Sequence, residues 1–365
     1  LAFPITRAPD DAKKRKNCKT CRHGFFYRVQ QRMISALFYR KPIMRSLWKI
    51  FPTGFVLIAC CTLLAGAAAH EQYISCGGDQ SLAVRNATIH AFGDDRYGQC
   101  DVPTGFTGEI QTVSAGCGHN LALLRNGTVM AWGKNDTGQC RVPDGLSNVS
   151  AIAAGGSHSL ALTREGHVIE WGGDKNLMAV PPNLCPVTAI AAGSFHNLAL
   201  LQNRTVAAWG WNPQGQCDVP VSLELGLYSI TEISCGDLHS LALSNDGTVI
   251  AWGRNDEGQC SIPANLGNAT AIAAGARHSL ALRADGTVAA WGDSSEYQCE
   301  VPANLSHVIA ITAGNAHSMA LQDDGSLVAW GNNCRGQCNT PGQAPGARPK
   351  IARIAAGNNF AIGLL

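Results

Sequence analysis

From about residue 74 onward, short apolar runs alternate with glycine-centred breaks. One kind of run is typified by Ser279-Leu280-Ala281-Leu282 and a second by Thr287-Val288-Ala289-Ala290-Trp291. Between the two stands an Asn-Gly or Asp-Gly pair: Asn126-Gly127, Asp246-Gly247, Asp285-Gly286 and Asp324-Gly325. Such a pair between apolar runs predicts a hairpin, because a type I′ turn needs positive φ at both central residues. The glycine after each Trp ends the second strand, and the proline of the following Val-Pro blocks further pairing. A third run, Ala-Ile-Ala-Ala-Gly, is a strand of small residues suited to a crowded centre.

These runs are copies of one unit. Trp-Gly recurs with its Trp at 132, 171, 209, 252, 291 and 330, and Phe92-Gly93 is a seventh member. An Ala-Gly-x-x-His block has its Gly at 116, 155, 193, 236, 275 and 314, with degenerate copies at Gly77 and Gly357. A unit of about 40 residues holding three or four antiparallel strands is the sequence pattern of a propeller blade. The expectation is therefore an all-β, seven-bladed β-propeller over residues 70–365, with the segment around Gly357 returning beside the first copy to close the ring. An incomplete eighth blade is the alternative. The recurrent Trp is expected to pack between blades.

Charge divides the chain. Residues 1–50 hold 13 Lys/Arg against 2 Asp/Glu, whereas residues 51–365 hold 15 against 24. An acidic body disfavours a broad phosphate-binding surface, so no nucleic acid is expected. Met44-Arg45-Ser46-Leu47-Trp48-Lys49, an apolar run from Ile50 and Ala67-Ala68-Ala69 together form the three parts of a secretory signal. Residues 44–69 are thus expected to be a signal peptide cleaved near Ala69-His70, giving a secreted, periplasmic or extracellular product. The alternative is membrane anchoring by residues 50–69, the only membrane contact expected. Residues 1–43, a basic leader, are expected to lie upstream of the true start, and Lys13–Lys16 and the Cys18/Cys21 pair are discounted with them.

The repeat columns also bear on chemistry. His119, His158, His196, His239, His278 and His317 share one column, which spreads them around a ring rather than gathering them on a metal. Cys100, Cys140, Cys217, Cys260, Cys299 and Cys338 share another, too far apart to pair with each other. Cross-column candidates are Cys100–Cys117, Cys217–Cys235 and a local Cys334–Cys338. No nucleophile elbow, zinc helix or phosphate loop occurs, so no enzyme activity, metal or cofactor is expected. Binding is expected where copies differ. The loops after Trp-Gly hold Arg96, Tyr97, Lys134, Lys175, Trp211, Arg254, Tyr297 and Arg335, and those before each His hold Phe195, Leu238 and Arg277. Aromatic and Arg side chains on a rim are common interface anchors.

Ala-Gly-x-x-His-Ser-Leu-Ala-Leu followed by Asp-Gly-Thr-Val-x-Ala-Trp-Gly-x-Asn-x-x-Gly-Gln resembles the repeat of the regulator of chromosome condensation family. The compact repeat with its Gly-Gln-x-x-Val-Pro ending is most similar to secreted bacterial proteins of the beta-lactamase inhibitory protein type II kind. The resemblance implies a seven-bladed propeller. The expected function is an exported, monomeric, non-enzymatic module that binds an unidentified protein partner through its loop face. The family's nuclear member implies the alternative, guanine-nucleotide exchange on a Ran-like small GTPase. Its longer repeats carry a wedge insertion, whereas here only a few extra residues occur, near Val221–Ser229. Inhibition of the beta-lactamase type, or glycan binding, is a second alternative.

Overall fold

The structure, a computed structural model, describes residues 73–104, 109–174, 179–184, 186–340 and 351–364, together with the backbone of 55–58. Seven antiparallel three-stranded sheets follow one another, at 74–93, 110–133, 149–172, 187–210, 230–253, 269–292 and 308–331. We call them blades 1 to 7. In each, the Ala-Gly run is the inner strand, the His-Ser-Leu run the middle strand and the Trp-Gly run the outer strand. The predicted hairpins form, but not with type I′ turns: Gly127, Gly247, Gly286 and Gly325 have positive φ, between 77° and 85°, whereas Asn126, Asp246, Asp285 and Asp324 do not.

Register explains the sequence columns. His119 pairs with Gly133 and Asn120 with Trp132, and the same alignment recurs as His239 with Gly253 and Ser240 with Trp252. Middle strands are buried on both faces, as in His119–Leu124 and His239–Ser244. Cores lie between blades rather than within them. Leu82, Val84 and Ile89 of blade 1 pack with Ile110, Leu124 and Trp132 of blade 2. Truncating such a buried indole costs roughly 3–5 kcal/mol.

The count of blades is corrected from seven to eight sheets. Arg353–Ala356 and Ala361–Leu364 form an antiparallel hairpin of their own rather than completing blade 1. Its third strand is Phe55–Ile58, paired in parallel with Ala361–Leu364. Blade 8 thus has the Ala-Gly half of the repeat without a Trp-Gly strand. The ring closes through main-chain bonds from Asn358 N–H to Gly77 O at 2.8 Å and Gly78 O at 2.9 Å.

The strand Phe55–Ile58 also bears on the expected signal or anchor, because it lies within the apolar run that suggested one. Among the described residues no helix is long and apolar enough to cross a membrane. The basic leader 1–43, Lys175, Cys185 and the Ala69-His70 junction lie outside the described residues. The extra residues of the blade 4–5 connection form a one-turn helix, Val221–Glu224. It is followed by exposed Leu225 and Leu227, near the hairpin ends of the blades, where Ser229 O accepts from Asn245 N–H at 2.9 Å.

Candidate protein-binding face

The two variable columns are joined by a repeated hydrogen bond. The residue after each Trp-Gly donates its N–H to the carbonyl just before the same blade's His: Lys134 to Gly118, Trp211 to Phe195 and Arg254 to Leu238, all at 2.9 Å, and Asp293 to Arg277 at 3.0 Å. Both columns therefore lie on one face, at the end opposite the hairpin turns. The cysteine column fixes the same loops. Cys140 N–H donates to Asn135 Oδ1 at 3.0 Å and its thiol to Lys134 O at 3.1 Å; Cys260 repeats this with Asn255 at 2.8 Å and Arg254 O at 3.1 Å.

At the centre of this face the inner strands end in a funnel of about 170 Å³, lined by the Ala-Gly turns of all eight blades. Neighbouring turns are linked by main chain, as in Gly78 N–H to Gly116 O at 2.9 Å, Cys117 to Gly155 at 3.3 Å and Ala276 to Gly314 at 3.3 Å. Between blades 4 and 5 a side-chain bond does this work, Ser194 Oγ donating to Asp237 Oδ1 at 2.6 Å. Burial raises the Asp237 carboxyl above its usual range, offset in part by Ser194 and by the charges of Arg277 and Arg254.

Beneath the funnel lies the histidine column, spread around the ring as expected. Each of His119, His196, His239 and His278 sets Nε2 at 3.0 Å from a Ser Oγ of the next blade: Ser159, Ser240, Ser279 and Ser318. Each serine donates its one hydroxyl hydrogen to a Gln main-chain carbonyl, at 2.8–3.0 Å. The histidine must then donate, which fixes the neutral Nε2–H tautomer. Burial holds His119, His196, His278 and His317 at about 4 and His239 at about 3, in keeping with a neutral ring. The preceding glycine is required by this stacking, since a Cβ on Gly275 would sit 2.3 Å from His278 Cε1.

The structure places the expected binding residues unequally. Tyr97, Phe195, Trp211 and Tyr297 are the exposed aromatics of the face, at 50%, 48%, 38% and 49%. Phe195 and Trp211 form a tilted pair with centroids 5.5 Å apart. Lys134 Nζ stands 5.3 Å from the Tyr97 ring centre and Arg96 Cζ 6.0 Å, giving a second cluster. Arg96 also pairs with Asp94 at 2.8 Å and Lys134 with Asp136 at 3.1 Å. Arg254 is partly held by Asp256 at 2.7 Å, while Arg277 and Arg335 are exposed. Across blades 4 to 6 the result is a crescent: Phe195, Trp211, Asp237, Arg254, Arg277 and Tyr297. Asp237 was missed by sequence reasoning; its signal was an acid in a column of small and amide residues.

The disulfide candidates are corrected. Cys100, Cys117, Cys217, Cys235 and Cys338 are free thiols, and Cys334 is disulfide-bonded but not to Cys338. The half-buried Gly-Gln-Cys thiols instead donate to carbonyls six residues earlier, which leaves each facing its own loop.

The sequence profile of the regulator of chromosome condensation (RCC1) repeat matches residues 110–139, 149–176, 187–216, 230–259, 269–298 and 308–337. No curated protein sequence matches. Among solved structures the chain is similar to Prp20p of Saccharomyces cerevisiae, described with its binding properties to Gsp1p and histones. The TM-score is 0.58 at 21% identity, covering 70% of this chain and 82% of that one. Yeast RCC1 (Prp20) bound to Kap60 gives 0.50 at 22%, covering 79% and 78%. The ectodomain of the Physcomitrella patens receptor kinase CR4 gives 0.54 at 22%, covering 71% and 73%. At these identities the likeness is one of fold, and the fold by itself implies no export. The expectation of a secreted, periplasmic or membrane-anchored product is withdrawn, because the two Prp20 structures of this fold are described with Gsp1p, histones and Kap60 rather than as exported proteins. Its main support is also weakened, since part of the apolar run forms a strand of blade 8. With its tandem repeats matched one after another along the ring, the chain belongs to the regulator of chromosome condensation (RCC1) repeat family.

Proposed function

We propose that this chain is a protein-binding scaffold whose loop face receives a Ran-like small GTPase and accelerates release of its nucleotide. The observation that carries the reading is the crescent over blades 4 to 6. It sets exposed aromatics and arginines around a rim carboxylate, Asp237, on a closed ring. Supporting it is the likeness to Prp20p, described as binding Gsp1p and histones. The exchange reading replaces the exported module as the leading expectation.

Exchange needs no bond chemistry. A partner that prefers the nucleotide-free GTPase weakens nucleotide binding by the same coupling free energy. GTPases hold their nucleotide phosphates with a Lys and Mg²⁺. Asp237, an acid on the rim, is suited to compete for such a cation, while Trp211 and Arg277 supply anchoring area and charge.

The test is stopped-flow release of a fluorescent GDP analogue from Gsp1p on adding the full chain. Release faster by tenfold or more, reduced by Asp237→Asn, is the expected result. Binding without acceleration would leave a scaffold and remove the exchange role; absence of binding would sink the proposal.

A further inference from the structure

At the hairpin end of the ring, opposite the crescent, a second cavity of about 310 Å³ opens between the inner strands of blades 7, 8, 1 and 2. It is lined by the beginnings of those strands, remote from the funnel, among them Tyr73, Ile74, Thr112, Ile311, Arg353 and Ile354. An inner strand bonds its middle strand on one side only, so alternate N–H groups point away from its own sheet. Side chains of the preceding blade take some of them up: Ala115 N–H donates to Ser75 Oγ at 3.0 Å and Ala274 N–H to Ser234 Oγ at 3.1 Å. Two residues earlier, Ile272 N–H donates to Glu232 Oε2 at 3.3 Å.

Glu232 is exceptional in its column. Four residues before the glycine of the Ala-Gly turn, blades 3, 4, 6 and 7 carry Ala, and blades 1, 2 and 8 carry Tyr73, Thr112 and Arg353. In blades 8 and 1 the N–H groups equivalent to that of Ile272 belong to Ile354 and Ile74, both on the cavity. Ile354 follows Ala310 of the preceding blade, whose side chain has no acceptor. Ile74 follows Arg353, which brings further donors where Glu232 brings an oxygen. Arg353 is exposed, sets Cζ 5.3 Å from the Tyr73 ring centre, and pairs with no carboxylate among the described residues. Donors thus gather on one cavity, and the Tyr73 ring, Ala310 and Ile311 supply the apolar part of its lining. A guanidinium beside main-chain N–H groups suits a carboxylate, because hydrogen bonds to an ionised acceptor are the stronger kind.

We propose that this cavity binds a small carboxylate with a short apolar body, held by the Arg353 guanidinium and the Ile74 and Ile354 N–H groups. The site lies away from the crescent and does not depend on the GTPase reading. Its occupant does from outside what Glu232 does from within the chain, setting a carboxylate oxygen against a strand-edge N–H. The test is a fluorine NMR titration of the full chain with para-fluorophenylacetate, alongside the neutral para-fluorophenylacetamide and with inorganic phosphate as competitor. The acid is expected to bind about tenfold tighter than the amide. Arg353→Gln should weaken the acid about tenfold and leave the amide unchanged. Ala310→Glu, which sets a carboxylate before Ile354 as Glu232 stands before Ile272, should shut the acid out. Thermal melting shows whether each variant is folded; if Ala310→Glu were not, Arg353→Gln, at an exposed position, decides alone. Equal affinity for acid and amide, or no effect of Arg353→Gln, would overturn the proposal. Phosphate displacing the acid at equal concentration would overturn the ligand class by making the cavity a general anion site. Absence of binding by the acid would remove the site altogether.

Discussion

Trp209 donates its indole N–H to the Glu170 carboxylate at 2.7 Å, across one full repeat. Trp132, Trp171, Trp252, Trp291 and Trp330 donate instead to the main-chain carbonyl of Gln99, Gln139, Gln216, Gln259 and Gln298. Blade 3 lacks the Gly-Gln-Cys copy that would supply that carbonyl to blade 4. Glu170 stands in a column of alanines and replaces the missing acceptor, taking Asn197 Nδ2–H at 3.0 Å as well. Glu170→Ala would remove the acceptor of the buried Trp209 indole, at about 1–3 kcal/mol. A loss of about that size in urea unfolding is expected, with Glu170→Gln much milder. Equal stability of Glu170→Ala and wild type would show that the carboxylate is dispensable.

Much of this organisation was legible because the repeat writes itself in one-dimensional columns. Trp-Gly, Asp-Gly and Ala-Gly-x-x-His mark the strands, the hairpin positions and the structural histidines directly, but not the turn type, since only the Gly of each Asp-Gly pair takes positive φ. Closure of the ring was not legible. It depends on contacts such as Asn358 with Gly77, far apart in sequence, and on an edge filled by Phe55–Ile58. That short apolar run fits a strand and an export signal equally well, since periodicity cannot separate such segments. The candidate site was half legible: the variable columns were visible, but not the main-chain bonds that set Trp211 beside Phe195.

Acid should unfold the ring through its histidines. Their folded values near 4 lie below the ordinary 6.5, so the unfolded chain takes up protons first. Stability is then complete above about pH 6.5 and falls as pH drops toward 4. Glu170 and Glu232, raised by burial to about 7, act oppositely: their contribution is complete below the ordinary carboxylate range and fades as pH rises through 7. With more histidines than raised carboxylates, the acid limb should be the steeper. His278→Gln, which copies the Gln80 of blade 1, should flatten that limb while costing about 1 kcal/mol at neutral pH. Urea midpoints between pH 4 and 8 measure this, and an unchanged acid slope would refute the histidine account.

The thiols should react in a fixed order. Burial pushes Cys76, Cys100, Cys217, Cys260, Cys299 and Cys338 up to about 12 and raises Cys117 as well, but Cys117 on the funnel rim is exposed to solvent while the others are half-buried. Brief alkylation of the folded chain at pH 8, read by peptide mass mapping, is expected to modify Cys117 first. Early labelling of Cys260 would show that the loop after Trp252 opens readily, because its thiol is bonded to Arg254 O.

Which side of the ring binds can be decided by paired substitutions. Trp211 and Phe195 are exposed and form a tilted pair on the loop face, while Leu225 and Leu227 are exposed near the hairpin ends. Either pair is an apolar patch, but only the first lies beside Asp237, Arg254 and Arg277. Interface aromatics in such mixed surroundings commonly carry more than about 1 kcal/mol each. Trp211→Ala should therefore weaken Gsp1p binding about tenfold, and Leu225→Ser with Leu227→Ser should leave it within twofold. Arg277→Glu should act mainly on the association rate and its salt dependence, because a rim charge steers encounter more than it holds the complex. If the leucine pair proved sensitive and Trp211 did not, the hairpin side would be the docking surface and the crescent an unused one.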